Sequence, residues 1–273
     1  MRVGAVRVSE AAFAEGDSCL VVPLYKGEQP LNSEALYSDD EVVLQALLDR
    51  QVVTGAAGQT YYLPTPGGRP YQGVLLAGLG PRDQAGAEAA RRAGGASAAA
   101  LRTNRVTEAY LDMSHYPELD SAAFLEGIVL GGYDFDTYKK PSPDGAAPVK
   151  LAGLTVLVGD TADAGAVQAE CERAGLICAA VNGVRHLCNT PANEMTPRGL
   201  AEFAGGIAEE TGIACEVLEE KQMASLGMNA LLGVSLGASE PPRLIVLRYT
   251  HDASAPTVAL AGKGVTFDTG GVS

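Results

Sequence analysis

Hydrophobic and polar positions along the chain alternate between two periods. Met1-Arg2-Val3-Gly4-Ala5-Val6-Arg7-Val8 changes character at every second residue and predicts a first strand. Cys19 to Leu24 is a short continuous apolar run, the pattern of a strand covered on both faces. A helix is predicted over Asp39 to Val53, with Ser38 as its cap and Val42, Val43, Ala46 and Leu47 at helical spacing. Strand-like stretches at Thr60 to Leu63 and Gly73 to Ala77 lead into an alanine-rich helix from Gln84 to Leu101. Val106 to Met113, a helix around Ala122 to Gly131, and Leu154 to Val158 continue the series, which predicts a mixed or parallel sheet covered by helices.

Pro141 to Pro148 has the composition of a linker, dense in residues that resist regular structure. One long helix is predicted over Ala162 to His186, with Val167, Cys171, Ala174, Cys178, Val181 and Arg185 on or beside a stripe. The domain boundary is therefore set near Asp160, dividing the chain into 1–160 and 161–273. Thr196 is expected to cap a helix opened by Pro197 and ended by Gly212, with a strand from Ile213 to Leu218 after it. Leu244 to Tyr249 and Thr257 to Ala261 have the aliphatic and β-branched profile of central parallel strands, the latter buried on both faces.

Composition narrows the function. Hydrophobic residues make up 47% and charged residues 19% of the 273, a globular balance. A net charge of -13 argues against nucleic acid as a partner, since phosphate binding needs a basic patch. No apolar run is long enough to cross a bilayer and the N-terminus does not read as a signal, so no membrane role is expected. The five cysteines form no C-x-x-C pair, which fits a reducing cytoplasm better than a disulfide framework, and Cys171 and Cys178 are expected to be small core residues on one helix face.

Chemistry concentrates where the last apolar run breaks at Gly262-Lys263-Gly264. In open α/β sheets ligands bind at the carboxyl ends of strands, where Lys263 and Asp268 would both project. Asp is a hard oxygen ligand able to bridge two cations, and a lysine can join it as the neutral amine. Taken alone, the turn reads first as a solvated lysine with Asp268 capping the next element, since glycine-rich turns after strands are common. A phosphate loop is excluded: Thr257 stands where it needs glycine, and Gly264 where it needs Ser or Thr. Gly78-Leu79-Gly80 reads as a turn, because Asp83 occupies the place of the last glycine of a dinucleotide fingerprint. His115, His186 and His251 share no metal-binding spacing and are expected at the surface or at caps.

Gly262-Lys263-Gly264-Val265-Thr266-Phe267-Asp268-Thr269-Gly270-Gly271-Val272-Ser273 resembles the metal-binding signature of the cytosolic leucyl aminopeptidase family, GKG(L/V)TFDSGG(I/V)S, with Thr269 where Ser is commoner. Arg185 to Pro197 is similar to that family's R-x-L-x-N-x-P-x-N-x-x-T-P segment, and Met228 to Tyr249 resembles its M-(G/N)-A-L-L-x-V-x-x-G-S-x-x-P-P-R-L-I run. Glu126-Gly127 with Leu130 to Lys139 looks like a further stretch of it, in which Tyr133, Phe135 and Tyr138 are read as packing residues. The resemblance implies an α/β chain: a macro-like N-terminal domain followed by the first part of a metallopeptidase catalytic domain. It implies two divalent ions, manganese or zinc, with Lys263 on one and Asp268 bridging both. It further implies peptide substrates, a hexamer and a cytoplasmic enzyme that releases N-terminal amino acids with a leucine-type preference. The family's second lysine, remaining carboxylates and catalytic arginine would lie beyond the position of Ser273. The alternative is a non-catalytic fragment, an assembly or binding module with a macro-like domain, including a nucleotide binder.

Overall fold

A computed structural model describes residues 1–14, 17–28, 33–140 and 149–268. The linker-like stretch from Pro141 to Pro148 lies outside the described residues, as does the end of the last motif from Thr269 to Ser273. The chain forms two compact units, Met1–Gly183 and Val184–Ser273.

The first unit is built on six strands: β1 (Arg2–Arg7), β2 (Ser18–Tyr25), β3 (Thr60–Pro64), β4 (Gly73–Gly80), β5 (Glu108–Asp112) and β6 (Gly153–Val158). Their order is β1-β6-β5-β2-β4-β3, parallel throughout except for β3, which runs antiparallel along one edge. β2 and β4 are buried along their whole length, as their unbroken apolar runs require. The ladder from β2 to β5 ends at Val21↔Leu111, and Pro23, which has no N–H to donate, comes after it. Gly78 to Gly80 are the last residues of β4 and not a separate turn, and the chain turns at Gly80 itself, where φ is 84°.

Successive side chains of β2 enter opposite cores. Cys19 and Val21 meet Leu75 and Ala77 of β4 under α2 (Ala87–Thr103), α3 (Ser121–Gly131) and the first turns of α4 (Ala164–Asn189), while Leu20, Val22 and Leu24 join Leu44 and Leu48 of α1 (Ser38–Asp49). Helices thus cover both faces of the sheet. Two details of α1 differ from expectation. Tyr37 holds the N-cap position without a side-chain bond, with Ser38 already inside the helix, and Leu44 and Leu48 are the core residues while Val42 is 70% exposed. Val42 and Leu44 both fit a helical stripe, and which one faces the sheet is set by the docking angle of the helix.

Cys171, Ala174 and Cys178 form the buried stripe of α4, as the spacing predicts, whereas Val181 is exposed. The division between the two units falls inside this helix, at Gly183/Val184. In the second unit α5 (Pro197–Thr211) starts with Thr196 accepting from the Gly199 N–H and ends at Gly212 in the left-handed region, both as expected. β7 (Ala214–Leu218), α6 (Glu220–Ser225), α7 (Asn229–Ser235) and β8 (Leu244–Arg248) follow. β8 pairs antiparallel with β7 and is not the central parallel strand its composition suggested. Among the described residues no helix is long and apolar enough to cross a membrane.

α2 and α3 owe their close approach to glycine. A Cβ at Gly127 would strike the Arg91 backbone oxygen, and one at Gly94 would strike the Phe124 oxygen. Arg91 spans the same contact with two bonds to Glu126, 2.9 and 2.7 Å long. Gly127→Ala should therefore force the helices apart and lower unfolding free energy by about 1–3 kcal/mol in urea titrations. Gly67→Ala, with nothing within 4 Å of the added carbon, should change it by less than about 0.5 kcal/mol.

Candidate functional site

Two places invite chemistry: the carboxyl edge of the six-stranded sheet and the Gly-Lys-Gly turn of the second unit. At the sheet, the chain leaves β2 toward β4 on one side and leaves β5 toward β6 on the other, so a crevice is expected between the carboxyl ends of β2 and β5. That space is filled by the protein's own side chains. Tyr25 ends β2 and meets Tyr116 edge-on with centroids 5.0 Å apart, and the Arg82 guanidinium lies 5.2 Å from one ring centroid and 5.6 Å from the other. Glu28 accepts from Arg82 Nη1 at 2.6 Å and from the Tyr116 hydroxyl at 2.7 Å, and Glu118 pairs with the other arm of Arg82.

Beneath this cluster Asp112 is fully buried at the end of β5. It accepts from the Ser33 hydroxyl and from the Ser114 N–H and hydroxyl, at 3.0 and 2.6 Å for the last two. His115 is the correction here. It is not a surface residue: its side chain is 11% exposed, its ring lies 4.2 Å from that of Tyr116, and both its nitrogens are buried without a hydrogen-bond partner. Its burial follows from its place directly after β5 and from the aromatic residue beside it, neither of which ligand spacing reflects. Two tyrosines and an arginine thus pack over the carboxyl ends of β2 and β5.

Charge and burial set the acidity of the plug. Burial alone would raise the Glu28 carboxyl, but the hydrogen bonds from Arg82 and Tyr116 and the Arg82 charge together hold it below its ordinary value of 4.5. Tyr116 is pushed up, first by burial and then by its bond to Glu28. A carboxyl lowered on folding stabilises the native state above its unfolded value and loses that contribution as pH falls through the lowered one. Stability should therefore decline below pH 4.5 in part through Glu28, and Arg82→Gln should reduce that acid-side dependence in urea titrations run from pH 7 to pH 3.

The second place is the turn that carries Lys263 and Asp268. Thr257 to Ala261 is not a strand, and its side chains lie in solvent, with Val258 81% and Leu260 95% exposed. The apolar run has strand composition, but among the described residues no neighbouring strand lies alongside it to cover its faces. Gly262 to Gly264 continue without regular structure, and Lys263 and Asp268 are both exposed. α5 reaches this turn: a Cβ at Gly264 would stand 3.4 Å from Leu200 Cδ2.

A primary amine and a carboxylate are suitable donors for a divalent ion in kind. In number they fall short of the roughly four to six ligands such an ion takes. Among the described residues no group of three His, Cys, Asp or Glu side chains gathers to complete a shell.

An α/β chain with a helix-covered, mainly parallel sheet in its first unit and a turn carrying Lys263 and Asp268 late in its second is the class that these observations define. Residues 21–142 match the cytosol aminopeptidase family, N-terminal domain, and residues 182–273 match the cytosol aminopeptidase family, catalytic domain. The chain belongs to the cytosol aminopeptidase family. It is 35% identical to a probable cytosol aminopeptidase of Streptomyces avermitilis, in an alignment covering 100% of this chain and 53% of the relative. It is 39% identical to one of Syntrophotalea carbinolica, over 83% of this chain and 46% of the relative. Among solved structures, a variant of tomato leucine aminopeptidase aligns with a TM-score of 0.72 and 25% identity over 90% of this chain and 50% of that one. The bottromycin maturation enzyme BotP in complex with Mn aligns with a TM-score of 0.65 and 26% identity over 86% and 45%. The chain spans about half the length of the curated relatives it matches.

Proposed function

We propose that this chain forms the first half of a metal-dependent aminopeptidase that removes N-terminal residues, leucine among them, from peptides. The observation that carries the reading is the Gly262 to Asp268 stretch, which lies within the catalytic-domain match and presents an amine and a carboxylate to solvent. Lys263 would donate its neutral amine to one ion and Asp268 would bridge it to a second. When bound, two divalent ions, manganese or zinc, supply Lewis acidity toward the first peptide carbonyl and make a bound water acidic enough to lose its proton near neutral pH. The Mn-bound BotP structure supports manganese as the first metal to test.

Lys263 can serve only as the free base, so covering this turn and crowding it with metal charge would be part of making the site. Gly264 keeps the backbone bare where α5 approaches through Leu200, holding the turn near the helix without a side chain between them. Remaining ligands and the group that stabilises the oxyanion would come from residues corresponding to the other half of the relatives' length. Location in the cytoplasm accords with the relatives' name, and a six-copy assembly is carried over from the family resemblance. The match of residues 182–273 to the family's catalytic domain favours this reading over a nucleotide-binding module.

A fusion of this chain to the second half of the Streptomyces avermitilis relative tests the assignment through hydrolysis of leucyl-p-nitroanilide. The expected result is activity that needs Mn²⁺, is abolished by a chelator, and falls ~100-fold or more in Asp268→Asn and in Lys263→Ala. A folded fusion that works equally well without divalent metal, or whose Asp268→Asn form keeps full activity, would overturn it.

A further inference from the structure

A cavity of about 190 Å³ opens at the opposite edge of the first unit's sheet, beside the residues that lead into β1, β5 and β6. Its wall is apolar: Ala98 and Leu101 of α2, Ile128 and Val129 of α3, and Val106 and Leu151 ahead of β5 and β6. For scale, a dry apolar cavity of ~150 Å³ admits a benzene-sized ligand. Its rim is charged with both signs. Arg102 and Asp134 both line the opening and pair with each other, and Lys150, also at the rim, lies 3.3 Å from Asp136.

This combination selects among ligands. An apolar wall alone would take any small hydrocarbon, and a cationic rim alone would take any anion. A rim with guanidinium and carboxylate side by side above an aliphatic hole matches a free α-amino acid with a branched aliphatic side chain. Its carboxylate would take Arg102 and its ammonium Asp134, while the side chain fills the space among Leu101, Ile128 and Val129. The existing Arg102–Asp134 pair is 46% and 41% exposed, and exposed pairs contribute little to stability, so exchanging one pair for two loses little.

We propose that this cavity is a binding site for a free aliphatic amino acid of the leucine type. The site lies wholly in the first unit and does not rest on the aminopeptidase reading, although its ligand is of the class such an enzyme would release.

The test is calorimetric titration of the 273-residue chain with L-leucine, alongside 4-methylpentanoate, which lacks the ammonium, isopentylamine, which lacks the carboxylate, and glycine, which lacks the side chain. The expected result is saturable leucine binding with each of the other three at least ~10-fold weaker. Ala98→Leu, which fills the hole, should abolish it, and Arg102→Gln, at a half-exposed position, should weaken it ~10-fold. Chelator and Asp268→Asn should leave it unchanged, so a failure of the metal reading cannot be mistaken for a failure here. Absence of saturable leucine binding, or binding indifferent to Arg102→Gln, or equal affinity for 4-methylpentanoate, would each overturn the proposal.

Discussion

A run of apolar residues holds the form of a strand only where neighbours cover both faces and take up its N–H and C=O groups. β2 meets that condition along its length. β4 and β5 flank it, α2 and α3 close one face and α1 the other, and each of its eight residues is buried. Thr257 to Ala261 has comparable composition and does not meet it: Leu260 is 95% exposed and the segment carries no ladder. Lys263 and Asp268 follow that segment, so the placement of the turn that carries them depends on what covers it. The functional reading thus rests on strand coverage before it rests on ligand identity.

The first unit illustrates how a sheet can keep a ligand crevice and fill it. The strand order creates a gap between the carboxyl ends of β2 and β5, the usual place for a cofactor in this architecture. Here Tyr25, Tyr116 and Arg82 occupy it, tied down by Glu28 and Glu118. The edge-on rings and the charge-assisted bonds form a brace between the segments after β2, β4 and β5. The cavity at the other edge has the reverse character, an aliphatic interior beneath paired charges, which is why the two ends of one sheet lead to different expectations.

Much of this was legible in the residues. The strands of the first unit, the long helix with its Cys171, Ala174 and Cys178 stripe, and the Thr196 and Gly212 caps all follow from local rules, because local spacing and cap chemistry decide them. Leu244 to Arg248 was legible as a strand but not in its direction, since aliphatic content reports burial and not the sense of the neighbour. The face of α1 and the burial of His115 were hidden for a related reason: both depend on how an element docks, which one-dimensional periodicity leaves open. Of the candidate site, the motif gives residue types and order. Whether Lys263 and Asp268 meet at one ion is a tertiary property that no stretch of sequence carries alone.

The most direct measurement of that convergence is paramagnetic broadening in an amide correlation spectrum of the chain as substoichiometric Mn²⁺ is added. A cation held jointly by the two side chains should broaden the amides of Lys263 and Asp268 together and ahead of all others, and this early broadening should vanish in Asp268→Asn. Broadening that begins elsewhere, or that reaches only one of the two residues, would contradict a shared ion and with it the metallopeptidase account.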